Sequence, residues 1–551
     1  MLHRCRALGF GPAVAPRAGE GGEQRGKGEE LLRGFHDWRM ALDFLSISKR
    51  CCRGCPAICT TEGETALGAL LACALMHRSG PFAPVIALVL AACGSEGSSS
   101  AVTDAGSPSA EAGPSDAALA EAGLHDGGVG DAAVADGGAP PSRPPTFLAP
   151  RTGLSHDELG VLVNDNDPLS VQIAEEYVAK RGIPLANVVH LSLPLPRAAS
   201  MTAAQFAPLK AQVDGALSAR VQALAITWTQ PYRVDNVSIT SAFALGSKTI
   251  ANTCTDPNSQ AGTPNPYSAK LTSTTPFTDF GKRPAMMIPA TTFAEAQALI
   301  ARGIAADDTW PAGSASLMNT SDQTRSARCI LNTNFGWTNE CQTFLDSWDS
   351  VGSGIQASLI NADSITGKND VLFYVQGLTS VPNLTTNTYL PGAVADHLTS
   401  FGGQVPTSGQ MSAFAFLQAG VTGSFGTVVE PCAYQQKFPN PAVLFPSYFG
   451  GATLIEAYWR SVAWPAEGLF LGEPLARPFG NGFRSAFDAA TGTLTITTTT
   501  LIPGTSYVLE GADAETGPFS AIQDNLSAAK YTKTVLSIPN ATRAFYRLRR
   551  K

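Results

Sequence analysis

Apolar residues in this chain fall into short runs separated by stretches of helical spacing. In LGVLVNDNDPLSVQIAEEYVAKRGIPLANVVHLSLP (residues 159–194) the trio at 161–163 predicts a short buried strand. The polar turn at 164–168 can cap a helix on which Ile173, Ala174, Tyr177 and Val178 share one face. Gly182 follows as a C-cap, and residues 188–193 read as the next strand. Strand, helix and strand at this spacing imply parallel pairing. The pattern recurs. A helix near 202–219 leads to ALAITW (223–228), and AMMIP (285–289) leads through FAEAQALIARGI to SASLMNT (314–320). DVLFYVQG (370–377) is another buried strand, and the helix MSAFAFLQAG (411–420) feeds the run GVTGSFGTVVEPC (420–432). These units predict a three-layer, doubly wound α/β domain with a mostly parallel sheet over residues 148–484. Ligands of such sheets sit beyond the carboxyl ends of the strands. Polar, irregular stretches at 247–280 and 321–345 read as surface insertions.

Near residue 485 the period shortens to two. Leu494/Ile496, Tyr507/Leu509 and Tyr546/Leu548 alternate with polar residues, and Gly and Pro separate the runs. Residues 485–551 are therefore expected to form a small all-β, sandwich-like module. The closing FYRLR resembles the last strand of small β-sandwich modules at the ends of exported bacterial proteins.

Composition changes the picture upstream. Residues 94–145 are Ser, Ala, Gly, Pro and acid, with eight acids against the single Arg143. Such a segment cannot bury enough apolar surface to offset its chain entropy. A disordered acidic tether is expected over 94–147, with a mean span of roughly 40 Å. Before it, MHRSGPFAPVIALVLAACGS (76–95) reads as a charged start, an apolar run at 82–92 and a small-residue cleavage site. The run is too short to span a bilayer. Its LAAC resembles the lipobox of bacterial lipoproteins, in which the cysteine becomes the lipidated first residue. That resemblance implies a signal peptide at 76–93, lipidation of Cys93, and attachment to an outer membrane or cell surface through the lipid. Translation is then expected to start at Met76, with residues 1–75 an upstream extension. CCRGCPAIC (51–59) falls in that extension and lacks a second ligand pair at zinc-site spacing, so no metal or cofactor is expected. A net charge of −7 and the lack of a basic stripe exclude nucleic acid as a partner.

The expected body holds three histidines, His156, His190 and His397. His190 lies inside a strand pattern and His156 in a loop, so both read as structural. His397 follows Asp396 in ADHLTSFGG, where Gly402 and Gly403 suggest a loop at a sheet edge. An acidic partner could orient its imidazole. Glu430 stands just past the last buried strand. If the loops after residues 395 and 429 are neighbours, His397 and Glu430 meet at one rim, which Asp165 and Asp167 could join. The plain alternative is a capping Asp, a His fixing its loop, and a Glu-Pro turn.

Cys254, Cys329, Cys341 and Cys432 in an oxidising compartment suggest two disulfides. The favoured pairing is the short loop Cys329–Cys341 with Cys254–Cys432. Cys432 as a nucleophile or as an inert free thiol are the alternatives.

Several long phrases, among them VLVNDNDPLSVQIAEEYVAKRGIPLANVV, TWTQPYRV and EAYWRSVAWPAEGLFLGEPLARPF, resemble a family of exported bacterial proteins to which no activity is assigned. More distantly, the chain resembles gingipain-type cysteine peptidases, which have a caspase-like fold. The resemblance rests on Lys180-Arg181-Gly182-Ile183, on the helix and strand at 419–429, and on Gly472-Glu473-Pro474-Leu475. It implies a His-Gly after one strand and a Cys after the next. Here Gln376 precedes Gly377, and residues 391–403 hold no cysteine. The resemblance therefore implies the caspase-like fold without the peptidase pair. A binding or scaffold role follows, for a protein or glycan ligand that stays unspecified. The alternative is a hydrolase with a rearranged site of Asp396, His397 and Glu430. Whether the chain is an enzyme stays open, as does carbohydrate or matrix binding by the β-module through aromatics such as Tyr531.

Overall fold

The computed structural model describes residues 144–248, 254, 262–322, 341–432 and 434–551. Cys93, the signal-like segment, nearly all of the tether and Cys329 lie outside them.

The first half alternates strand and helix. β1 (Leu159–Asn164) is followed by α1 (Pro168–Arg181), β2 (Val188–Leu191), α2 (Ala203–Ala216) and β3 (Ala223–Ile226). β4 (Ala285–Met287), α3 (Phe293–Ala306), β5 (Gly313–Asn319) and β6 (Ile355–Asn361) come next. Then follow β7 (Val371–Gln376), β8 (Tyr389–His397), β9 (Gly423–Thr427), α4 (Pro441–Phe449), α5 (Leu454–Ser461) and β10 (Gly468–Gly472). Local chemistry sets the ends. Asp167 accepts from the Leu169 amide at the start of α1, and Gly182 closes that helix at φ 64°. Thr202 with Gln205, and Thr292 with Glu295, form capping boxes on α2 and α3. Ile173, Ala174 and Tyr177 are buried as the periodicity predicts.

The ten strands make one mixed, mostly parallel sheet in the order β6-β5-β7-β8-β9-β10-β4-β3-β1-β2. Pairing is parallel from β6 through β9 and from β4 through β2. β9 and β10 are antiparallel, and β10 meets β4 through the single bridge Leu471↔Met287. The loops after β3 and β8 touch, because Gln230 Nε2 donates to the Val405 carbonyl at 3.1 Å. The carboxyl ends of both parallel blocks therefore open on one edge. Helices cover both faces. Phe373 of β7 packs on Phe445 of α4 at 4.0 Å between centroids, while the next residue, Tyr374, meets Phe416 of the short helix Phe414–Gln418. Among the described residues no helix is long and apolar enough to cross a membrane.

Three strands depart from the sequence expectation. β8 runs through the segment read as a loop, and β6 and β10 were not anticipated. Pro391 and Gly392 disguise β8, since both normally interrupt strands. The structure absorbs them in a bulge: Val371 pairs with Tyr389 but Phe373 with Val394. Helix 411–420 shortens to Phe414–Gln418.

The C-terminal residues form two small sheets. One holds Phe483–Asp488, Thr493–Thr498 and Thr534–Ile538. The other holds Tyr507–Ala512, Ser520–Leu526 and Phe545–Arg550, with Thr146–Leu148 added in parallel to the last strand. The expected tether thus gives up residues 146 and 147 to a strand. Leu494, Ile496, Tyr507, Leu509, Tyr546 and Leu548, the six residues of the alternating pairs, share one apolar core.

Candidate functional site at the carboxyl edge

β7 ends in Gln376 and β8 in Asp396 and His397, and the register sets Gln376 beside His397. His397 is 1% exposed. Its Nδ1 donates to the Leu378 carbonyl at 3.0 Å, and its ring stands edge-on to Phe416 at 5.4 Å. Gly402 lies so close that a Cβ there would come 2.9 Å from Nε2. Burial pushes the imidazole pKa down to about 4, against the opposing pull of the Leu378 and Met411 carbonyls, so it is neutral at pH 7. Gln376 is also buried. It donates to the Tyr374 hydroxyl at 3.0 Å and accepts from the Leu378 amide at 3.0 Å.

Asp396 points the other way. It lies near Tyr458 of α5, on the opposite face of the sheet from Phe416. It is 4% exposed, and its Oδ2 has no hydrogen-bond partner. Burial raises its carboxyl pKa to about 8, which keeps it largely protonated at neutral pH. The two neighbours expected in one loop thus belong to a strand, and the sheet lies between their side chains.

Glu430 has separate surroundings. Its Oε1 accepts the Cys432 amide at 2.8 Å. Beside it lies a buried pair in which Lys437 Nζ binds Glu467 Oε1. The Val428 amide donates to the Glu467 backbone carbonyl, which sets that pair at the end of β9. Burial lowers the Lys437 pKa against the raising effect of Glu467, and burial raises that of Glu467. Cys432 is joined to Cys254 with 5.3 Å between Cα atoms, so it is no free thiol. Cys341 is also disulfide-bonded, to a residue outside those described.

The remaining acids are spent locally. Asp165 contacts His190 Nδ1 at 2.7 Å in solvent, and Asp167 caps α1 while pairing with Arg197 at 2.6 Å. His156 lies 3.1 Å from Asp157 at the surface. The sheet order places β10, β4 and β3 between β9 and β1, a separation of roughly 19 Å across the strands. The acid-rich rim expected from Asp165, Asp167, His397 and Glu430 is therefore not assembled. Among the described residues no group of three or more His, Cys, Asp or Glu is arranged to hold a metal.

The edge does carry a groove of about 180 Å³, lined by Asp167, Arg197, Thr229, Gln230, Thr291 and Pro406 among others. Thr229 Oγ1 ties the β3 and β4 loops by donating to the Ala290 carbonyl at 2.8 Å and accepting its amide at 3.0 Å. Sequence reasoning named only Asp167 of these. The available signal was position, since Thr229, Gln230 and Thr291 follow directly on buried strands. Lys437 and Glu467 gave no signal, because they lie between elements with no period to mark them.

No protein-family model matches the chain, and no curated protein matches it. Two solved structures show a distant likeness. The complex of Porphyromonas gingivalis RgpB pro- and mature domains has a TM-score of 0.34 and 9% identity, over 69% of this chain and 99% of that one. A structure described as a protease has a TM-score of 0.30 and 10% identity, over 71% and 98%. Likenesses of this size carry no argument, and the mixed α/β architecture rests on the sheet described above.

Proposed function

We propose that the chain is a non-catalytic binding or scaffold protein, on an α/β frame of caspase-like type, held outside the cytoplasm by lipidated Cys93. The observation that carries the non-catalytic reading is the fate of the reactive groups at the carboxyl edge. Asp396 and His397 are buried on opposite faces, Glu430 is bonded to its own turn, and Cys432 is in a disulfide. A general base needs its acceptor within reach of substrate; buried Asp396 and His397 and disulfide-bonded Cys432 offer none, and half-buried Glu430 has its Oε1 engaged by its own turn. The groove around Asp167, Arg197 and Gln230 supplies the contact surface, in the place where open α/β sheets take ligands. The Cys254–Cys432 disulfide supports an oxidising compartment, and the LAAC phrase supports the anchor.

Two experiments test this. The purified chain, given casein and a panel of fluorogenic peptides and esters, should show no turnover beyond that of a His397→Gln/Glu430→Gln variant. Turnover that the variant abolishes would replace the binding reading with the hydrolase one. In a bacterial host fed alkyne-palmitate, the chain should take label, and Cys93→Ser should lose it. Equal labelling of both would remove the anchor.

A further inference from the structure

A smaller cavity, of about 150 Å³, opens between α3 and the short helix Phe414–Gln418. Pro289 lines it, and the next two residues, Ala290 and Thr291, line the groove already described, so the two are neighbours along the loop from β4 to α3. A cavity of this size holds a body as large as benzene. Leu299, Phe414 and Leu417 give it an apolar wall.

Arg302 of α3 stands in that wall, half-buried. Its Nη2 donates to the Leu417 carbonyl at 3.0 Å and to the Val421 carbonyl at 3.2 Å. Its Nε has no partner and is closed off. Nη1 also lacks a partner among the described residues, but it keeps accessible surface and can be reached. The two carbonyls cap the end of the short helix and leave the charge unneutralised. Arg181, Arg283 and Arg460 each face a carboxylate. Arg302 faces none among the described residues, and burial lowers its pKa with no acid in opposition. Charges withdrawn from water are ordinarily paired, so the cavity lacks an anion. Glu295 lines the same cavity but lies seven residues earlier on α3, about 10 Å along the axis. Its oxygens accept from Gln418 Nε2 at 2.8 Å and from the Thr291 hydroxyl at 2.6 Å.

We infer that this cavity binds a small monocarboxylate with a compact apolar body. The carboxylate takes the open Nη1 of Arg302, the body lies on Leu299, Phe414 and Leu417, and Glu295 repels a second negative charge. A free organic acid and the C-terminus of a peptide share this chemistry. The inference depends on neither the lipid anchor nor the groove.

Calorimetry on the full chain tests it with benzoate, isovalerate and glutarate, and with benzamide and isovaleramide as neutral partners. Benzoate or isovalerate should bind saturably below about 10 mM, with its amide weaker by about tenfold or more and glutarate weaker than either monoacid. Arg302→Gln should weaken the acid about tenfold. Its unfolding midpoint without ligand should not fall, and saturating acid should raise the parent's midpoint but not the variant's. Ala298→Leu fills the mouth from an exposed helix position, so it should also weaken binding about tenfold at an unchanged midpoint. Tighter binding of Ala-Ala-Val than of isovalerate would assign the site to chain termini, and the reverse to free acids. The inference fails if neither monoacid binds, if acid and amide bind alike, if glutarate matches the monoacids, or if both variants bind as the parent does. A lowered midpoint of Arg302→Gln with binding unchanged would instead make Arg302 a clamp on the turn at 417–421.

Discussion

Asp396→Asn removes an ionisable group from a place where the fold offers its charged form no partner. The carboxyl pKa is about 8 in the folded chain against 3.8 for the ordinary group, and burial is the cause. Between those values the folded state holds a proton that the unfolded state has released. Stability from this group is therefore complete below about pH 4 and is lost as pH rises toward 8. Each pH unit in that window is worth about 1.4 kcal/mol, so the parent should lose roughly 4 kcal/mol from this source between pH 5 and pH 8. His397 has the opposite sign. Its folded pKa of about 4 lies below the usual 6.5, so its contribution is complete above pH 6.5 and lost as pH falls toward 4. Comparing parent with variant cancels His397 and every other group that both share. Urea unfolding followed by tryptophan fluorescence at pH 5, 6.5 and 8 gives the comparison. The variant should gain on the parent steadily across the series. A stability difference that stays constant from pH 5 to pH 8 would refute the assignment of a buried, unpartnered Asp396.

Three further outcomes follow from the same contacts. Glu473 is fully buried and holds Arg181 at 2.5 Å and the Tyr177 hydroxyl at 2.7 Å, while Arg181 also pairs with Asp307, so Glu473→Gln should destabilise the chain in urea unfolding by less than the ~3–5 kcal/mol of a buried charge left with no acid. Gly426→Ala would set a Cβ 2.2 Å from the Gly402 carbonyl carbon and 2.3 Å from the Gly403 nitrogen. Backbone cannot step aside as a side chain does, so the unfolding midpoint should fall by more than the ~1–3 kcal/mol typical of overpacking. The Cys254–Cys432 link joins residues 178 apart, and its loss in a double serine variant should cost roughly 5 kcal/mol in the chain-entropy treatment. Peptide mapping of the unreduced, alkylated chain should find neither cysteine labelled.

The fold was legible where periodicity and punctuation agree. Asp167, Pro168 and Gly182 bracket α1, and the face of Ile173, Ala174 and Tyr177 is buried. In the C-terminal sheets Thr493–Thr498, Tyr507–Ala512, Thr534–Ile538 and Phe545–Arg550 were legible for the same reason, with one side of each alternation entering a common core, whereas Phe483–Asp488 was not read as a strand. Legibility failed where a local rule was overridden by neighbours. Pro391 and Gly392 argue against a strand, yet β7 and β9 hold that backbone on both sides, and the bulge takes up the extra residues. α4 contains Pro446 within its helix, and packing of Phe445 on Phe373 and Phe344 sustains it.

The misplaced site has the same origin as the misplaced strand. An Asp-His pair in a loop can converge on one point, and the glycines at 402 and 403 suggested such a loop. In a strand the side chains alternate, so adjacent residues cannot share a site whatever their chemistry. β8 extends through His397, and that one fact sends Asp396 toward Tyr458 and His397 toward Phe416. The glycines then have a packing role: Gly402 leaves room for the imidazole, and Gly403 with Gly426 lets the returning loop lie against β9. With both groups in dry surroundings, each takes its neutral form, and the residues that looked reactive in the sequence become part of what the sheet must bury.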